Sequence, residues 1–314
     1  MLNARASAWH EEPPGRTGRR GLARKSLALG EAGLLLALAT AAFGRSHHRP
    51  RRLDLIKLPA NELPRALPEL RNLRPASDQH RLPALLAKVG ANVSTFFRTF
   101  PDVVADETVH EERTAAGGPE QALTQSFWYL ALAQPGQEFG DLKEYRTDDS
   151  GRPVKLRGLS RGFMLTTGFI STSLVFAPEF AGESCFRYLG VEKLRRTETD
   201  VVAFAQRPSA RNVESIFVNG RSVPLPLQGV AWIDPASDQI VRLRTDLLHP
   251  IREIELDRQT TVIRYAPKSF KQVSAPLWLP RMVIVTVRMG LFTYRNVHLY
   301  SKQRLFHAHS REIN

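Results

Sequence analysis

Residues 229–248 read GVAWIDPASDQIVRLRTDLL, and this stretch decides the fold. Two runs rich in β-branched and aromatic residues flank Pro235, Ala236 and Ser237, with Asp234 and Asp238 on either side. Short acidic side chains in such a turn accept hydrogen bonds from backbone amides, and proline presets the bend. The stretch therefore reads as a β-hairpin. Along the returning strand, alternation puts Ile240, Arg242 and Arg244 on one face and Val241, Leu243 and Thr245 on the other. Arg242 and Arg244 then share a solvated side or an anion site, and Trp232 on the outgoing strand becomes core or the wall of a groove. Three aspartates (Asp234, Asp238, Asp246), two arginines and a tryptophan also have the composition of an active site. The hairpin accounts for them by local structure alone.

The rest of the chain follows the same period. Segments 103–113, 126–134, 185–208, 251–265, 281–289 and 292–306 alternate or run apolar over strand lengths. The stretch 142–158 reads as a hairpin about Asp149–Gly151, and Asn219–Gly220 marks another. GFMLTTGFISTSLVFAP (162–178) has no helical period and is read with the strands. One helix stands out, LPALLAKVGANVSTFFRTF at 82–100. Its apolar residues Leu82, Leu85, Leu86, Val89, Val93, Phe96, Phe97 and Phe100 recur at helical spacing and form one wide stripe. Pro83 suits the first turn, Pro101 ends the helix, and Gly90 marks close packing. The expected fold is α+β, mostly β: an antiparallel sheet of roughly ten strands with an N-terminal helix packed on it.

Here a resemblance enters. FRYLGVEKLRRTETDVVAF (186–204), followed by GVAWIDPASDQIVRLRTDL, resembles the strand pairs of the lipoprotein-carrier-like superfamily. That superfamily includes the outer-membrane lipoprotein sorting carrier and the periplasmic sensor that regulates an envelope-stress sigma factor. The segments FPDVVADETV, VVAFAQRP, WLPRMVIVTV and YRNVHLYS are more similar still to uncharacterised exported bacterial proteins, over residues 82–306. The resemblance implies a strongly curved antiparallel sheet, an open half-barrel, whose apolar cavity holds acyl chains. On that basis the expected cavity lining is Phe96, Phe97, Trp128, Phe163, Phe169, Trp232 and Trp278, while the shared face of Arg242 and Arg244 stays a solvated side or an anion site.

The N-terminus reads as an address. Residues 1–26 carry Arg5, Arg16, Arg19, Arg20, Arg24 and Lys25, and the apolar run Ala32–Phe43 that follows matches a signal-peptide core. Cleavage is expected after Ala41, which puts the protein in the periplasm or cell envelope. The rival reading is an uncleaved membrane anchor. Residues 42–80 are expected to be a Pro- and Arg-rich tether, basic at RSHHRPRR (45–52): a solvated linker first, with an anionic lipid or cell-wall contact as the alternative. Leu53, Leu55, Ile56 and Leu58 offer it a way to dock on the domain. Residues 81–314 are expected to form the single β-rich domain.

Charge and motif content narrow the function. Of 314 residues 42% are hydrophobic, the formal net charge is +13, and Arg supplies 35 of the 44 basic residues. Such a balance suits nucleic acid or an anionic surface. Export and the lack of any recognition motif set nucleic acid aside. The one cysteine, Cys185, permits no intrachain disulfide. GLSRG (158–162) fits G-x-S-x-G, but strand-like sequence follows where a nucleophile elbow needs a helix. His307 and His309 near Glu312 lack the rest of a metal-ligand set. His110, Glu107, Glu111 and Glu112 form a charged strand whose alternation separates Glu107 and Glu111 from His110 and Glu112. No catalytic residue, metal or cofactor is assigned. The expected function is non-enzymatic: an exported protein that binds an apolar or lipid-like ligand, or an envelope protein partner. The alternatives are an exported hydrolase with Asp/Glu/His chemistry and a structural module that holds anionic surface polymers.

Overall fold

Alternating sequence produces strands that bury one face, and here eleven of the thirteen strands among the described residues join one sheet. The computed structural model describes residues 54–306, apart from 116, 135–138, 140–141, 155–167, 212 and 219–220. The leader, Phe163, the GLSRG motif and the His307–Glu312 cluster lie outside the described residues.

The strands are β1 (Arg74–Pro75), β2 (Val103–Ala115), β3 (Glu120–Ala133), β4 (Leu142–Thr147), β5 (Ser184–Leu194), β6 (Thr197–Gln206), β7 (Ser215–Val218), β8 (Arg221–Pro224), β9 (Leu227–Asp234), β10 (Gln239–Leu247), β11 (Leu256–Lys268), β12 (Leu277–Met289) and β13 (Phe292–Leu305). The helices are α1 (Leu63–Ala66), α2 (Leu82–Thr99) and α3 (Pro178–Ala181). Eleven strands form a single sheet in the order β1-β5-β6-β9-β10-β11-β12-β13-β2-β3-β4, and every pairing is antiparallel. The sheet is not closed, because β1 and β4 remain its edges. This is the expected α+β, mostly β design, a curved open half-barrel. β7 and β8 form a separate hairpin.

Register sorts the side chains into two faces. One cross-strand row of the inner face runs Tyr188, Val202, Ala231, Leu243, Ile263, Val283, His298 and Val109. All eight are buried. The adjacent outer row runs Val201, Trp232, Arg242, Arg264, Met282, Leu299 and Thr108. α2 lays its stripe on the inner face with Leu85, Val89, Val93 and Phe97. At Gly90 α2 packs close against the 3₁₀ segment Ser171–Phe176, since a Cβ there would sit 2.9 Å from the Phe176 carbonyl oxygen.

Three expectations give way to the structure. First, a β-bulge sits between Ile240 and Arg242, so alternation fails at Val241. Ile240 therefore turns inward with Leu243, while Val241 joins Arg242 and Arg244 on the outer side. Second, Ser171–Phe176 is a 3₁₀ helix and α3 follows it, where the sequence read strand. Thr172, Leu174, Val175 and Phe176 are all buried, and a segment buried all round shows no period. Third, residues 54–75 are not a solvated tether. Leu55, Leu63, Leu67 and Leu70 are fully buried against Leu189, Val201, Val230 and Trp232 on the outer face. Pro64 and Pro68 sit in the first turns of short helices, where a missing N–H costs nothing. No helix among the described residues is long and apolar enough to cross a membrane.

Candidate functional site

The opening hairpin resolves into structure. Asp234 accepts from the Ser237 hydroxyl at 2.6 Å and its carbonyl from the Asp238 amide at 2.8 Å. Asp238 pairs with Lys88 of α2, and Asn92 donates to the carbonyls of Ser237 and Asp238. Asp246 takes two hydrogen bonds from Arg244, each 2.8 Å, and another from Thr260. All three aspartates are thus engaged in holding the fold, and the hairpin tip anchors α2.

The arginines of this hairpin already hold an anion, and it belongs to the chain itself. Arg244 and Arg242 both reach Glu69, which the packed N-terminal segment carries. Burial works against ionisation of Glu69, but Arg244 and then Arg242 outweigh it and hold its pKa below the usual carboxylate value. Arg242 also stacks on Trp232, with its guanidinium carbon 4.4 Å from the ring centroid. The Trp232 indole N–H donates to Glu192 at 2.6 Å.

Next to Arg242 the outer face opens into a groove of about 630 Å³. It lies where the turn between β5 and β6 ends and the uncovered side of β11–β13 begins. Its walls are apolar, from Leu194, Val241, Ala266, Pro267, Trp278, Met282 and Leu299. Four arginines line it, Arg195, Arg242, Arg264 and Arg281, against one carboxylate, Asp234. Arg195, Arg264 and Arg281 are exposed, and none makes an ion pair with a described residue. The buried Arg242 Nε has no hydrogen-bond partner among the described residues. This volume is typical of a small-molecule site, and apolar walls with a few convergent polar groups are its usual lining. Guanidinium groups recognise carboxylate or phosphate by paired hydrogen bonds.

The inner face is tightly filled near α2. A cavity of about 30 Å³ lies between the helix and the sheet, lined by Val93, Phe96, Ile170, Ile240, Tyr265 and Trp278. Phe96 and Trp278, two of the expected lining residues, meet there. Phe97 and Phe169 are buried in the same core, Phe97 against Phe139 and Phe169 against His298. Trp128 and Trp232 lie on the outer face, Trp128 exposed and Trp232 fully buried.

Beneath β2, β4 and β13 the inner face carries ionisable groups, of which the sequence reading had named Glu107 but none of its partners. The Arg146 guanidinium clasps Glu107, with Nε 2.5 Å and Nη2 2.7 Å from its oxygens, and His298 Nδ1 lies 2.9 Å from Glu107. These side chains are at most 2% exposed. Burial would raise Glu107, but Arg146 and the His298 bond prevail and hold it at about 2. Burial lowers the His298 pKa. Tyr129 donates to Glu144, and Thr172 donates to Glu214 at 2.7 Å. Burial raises both acids, Glu214 to about 7 with the Glu144 charge adding to the effect. A carboxylate already neutralised by a bidentate arginine and closed to solvent is a structural ion pair. Glu107 and Glu111 share the inward phase of VVADETVHEE with Val103, Ala105 and Val109, and acids in an apolar phase were the available signal. Nothing local in the sequence pointed to Arg146 or His298.

Comparison with known proteins adds the following. No family model and no curated protein matches the sequence. Among solved structures, a putative outer-membrane lipoprotein-sorting protein domain from Vibrio parahaemolyticus aligns with 14% identity and a TM-score of 0.36, over 70% of this chain and 91% of that one. A DUF1329 family protein from Desulfovibrio piger aligns with 12% identity and a TM-score of 0.38, over 71% and 92%. A LolA superfamily protein from Nitrosomonas europaea aligns with 15% identity and a TM-score of 0.29, over 72% and 94%. The structural neighbours thus include members of the superfamily that the hairpin motifs resemble, at low identity.

Proposed function

We propose that this is a non-enzymatic, exported envelope protein whose outer groove binds an amphiphile with an anionic head, such as a fatty acid or an acidic lipid. One observation carries the reading: a groove of about 630 Å³ joins apolar walls to four arginines, three of them without an acidic partner among the described residues. The apolar walls favour an alkyl chain by the area they remove from water. The arginines favour a carboxylate or phosphate. The site differs from the one the resemblance implies, which is the concave face. There α2 and the 3₁₀ segment occupy the space. Against the hydrolase reading, Glu107 and His298 have no exposed side-chain surface with which to meet a substrate.

Calorimetric titration of the full chain with dodecyl phosphate below its micellar concentration tests the reading. Binding is expected, and Arg264→Glu with Arg281→Glu should weaken it at least about tenfold. Dodecylphosphocholine, whose choline cancels the charge of its phosphate, and inorganic phosphate, which has no alkyl chain, should bind far more weakly. Equal affinity of wild type and double variant would overturn the assignment. Inorganic phosphate binding as tightly as dodecyl phosphate would remove the alkyl chain from it.

A further inference from the structure

We infer that the outer face around Leu299 and Trp128 is a docking surface for an anionic lipid bilayer. Three large hydrophobic side chains are conspicuously exposed among the described residues, and two of them, Trp128 at 41% and Leu299 at 36%, are on this face. Register puts them on one face, on either side of β2: Leu299 lies opposite Thr108, and Trp128 lies opposite Asp106, two residues along β2. Met282, opposite Leu299 on the other side, continues the apolar strip. Tryptophan, with an apolar ring and a polar N–H, is at home at the boundary between lipid headgroups and acyl chains.

Cations rim the strip on both sides. Arg264 and Arg281 stand toward the groove. Lys302 and Arg304 stand toward Trp128, and the Arg304 guanidinium carbon lies 5.9 Å from the Trp128 ring centroid. Asp106 pairs with both Lys302 and Arg304, so the rim keeps an excess of positive charge. The packed N-terminal segment lies on the same face of the sheet, where Leu55 is buried. Each Lys or Arg held near an anionic leaflet favours binding, and the effect decays over a Debye length. An acidic protein would satisfy the cations as well. It would not explain an exposed tryptophan beside an apolar strip that continues into the groove through Met282 and Leu299. With the bilayer against this face, the groove opens onto the phase in which an amphiphile dissolves.

The test is co-sedimentation of the full chain with vesicles of phosphatidylcholine, alone or mixed with phosphatidylglycerol. Binding is expected to the mixed vesicles, to fall as salt rises, and to drop at least about fivefold in Trp128→Ser. Trp128 does not line the groove, so this variant should keep the wild-type affinity for dodecyl phosphate. That separates failure of the docking surface from failure of the groove. Wild-type vesicle binding by Trp128→Ser, or equal binding to vesicles without phosphatidylglycerol, would overturn the inference. Binding instead to an acidic protein with no affinity for either vesicle would do the same.

Discussion

Glu214 and Glu107 sit on the same inner face and respond to burial in opposite ways. Glu107 has a guanidinium clasping it, so its charge is stabilised. Glu214 has the Thr172 hydroxyl as a donor and a second acid, Glu144, as an unfavourable neighbour, so its charge is resisted. A carboxyl held at about 7, against an ordinary value of 4.5, binds its proton more tightly folded than unfolded. Its stabilising contribution is complete below about 4.5 and is lost as pH rises through about 7. Glu214→Gln should therefore gain on wild type as pH climbs through that window, by about 1–3 kcal/mol at pH 8. Urea denaturation of both proteins across the range checks this, and parallel pH profiles would count against the burial of Glu214. The inward phase of Glu107 and Glu111 was legible by counting twos along VVADETVHEE. Their partners were not, because Arg146 and His298 lie 39 and 191 residues away from Glu107 and only the sheet brings them together.

Elements were legible where one period dominates and obscure where two signals compete. The stripe of α2 is continuous over five turns of sequence, and its bounds differ from the reading by one residue at the C-terminus. The hairpin at 227–247 was read correctly as a hairpin, but one bulged residue reversed the face assigned to Ile240. The strap at 54–75 was misread as a tether because proline suppresses both helical and strand periods. Yet its leucines at 55, 63, 67 and 70 do the work of a core element. Leu67→Ala should cost about 2–5 kcal/mol in unfolding free energy, the loss expected for a fully buried leucine. The same change at the partly buried Leu58 should cost less. If Leu67→Ala unfolds at the wild-type urea midpoint, the strap is not part of the cooperative unit.

At the scale of the molecule, one open sheet has two faces with different tasks. The inner face is filled by α2, the 3₁₀ segment and α3. The outer face is covered by the strap over Trp232 and its neighbours, and bears a basic, apolar-walled groove beside that cover. The fold class was readable from patterning, since period-two runs punctuated by turns leave few architectures. The groove was not, because Leu194, Arg242, Arg264, Arg281 and Leu299 come from strands far apart in sequence. Of its lining, only Trp278 and Arg242 were expected as binding residues, for separate reasons. The central claim is that this groove carries an acidic amphiphile. Native mass spectrometry of the full chain from an exporting bacterial host, before and after organic extraction, tests it most directly. The account predicts an added mass identified as an acidic lipid or fatty acid, removed by extraction and missing from the Arg264→Glu, Arg281→Glu protein. A bare protein mass before extraction, or a bound lipid retained equally by the double variant, would contradict it.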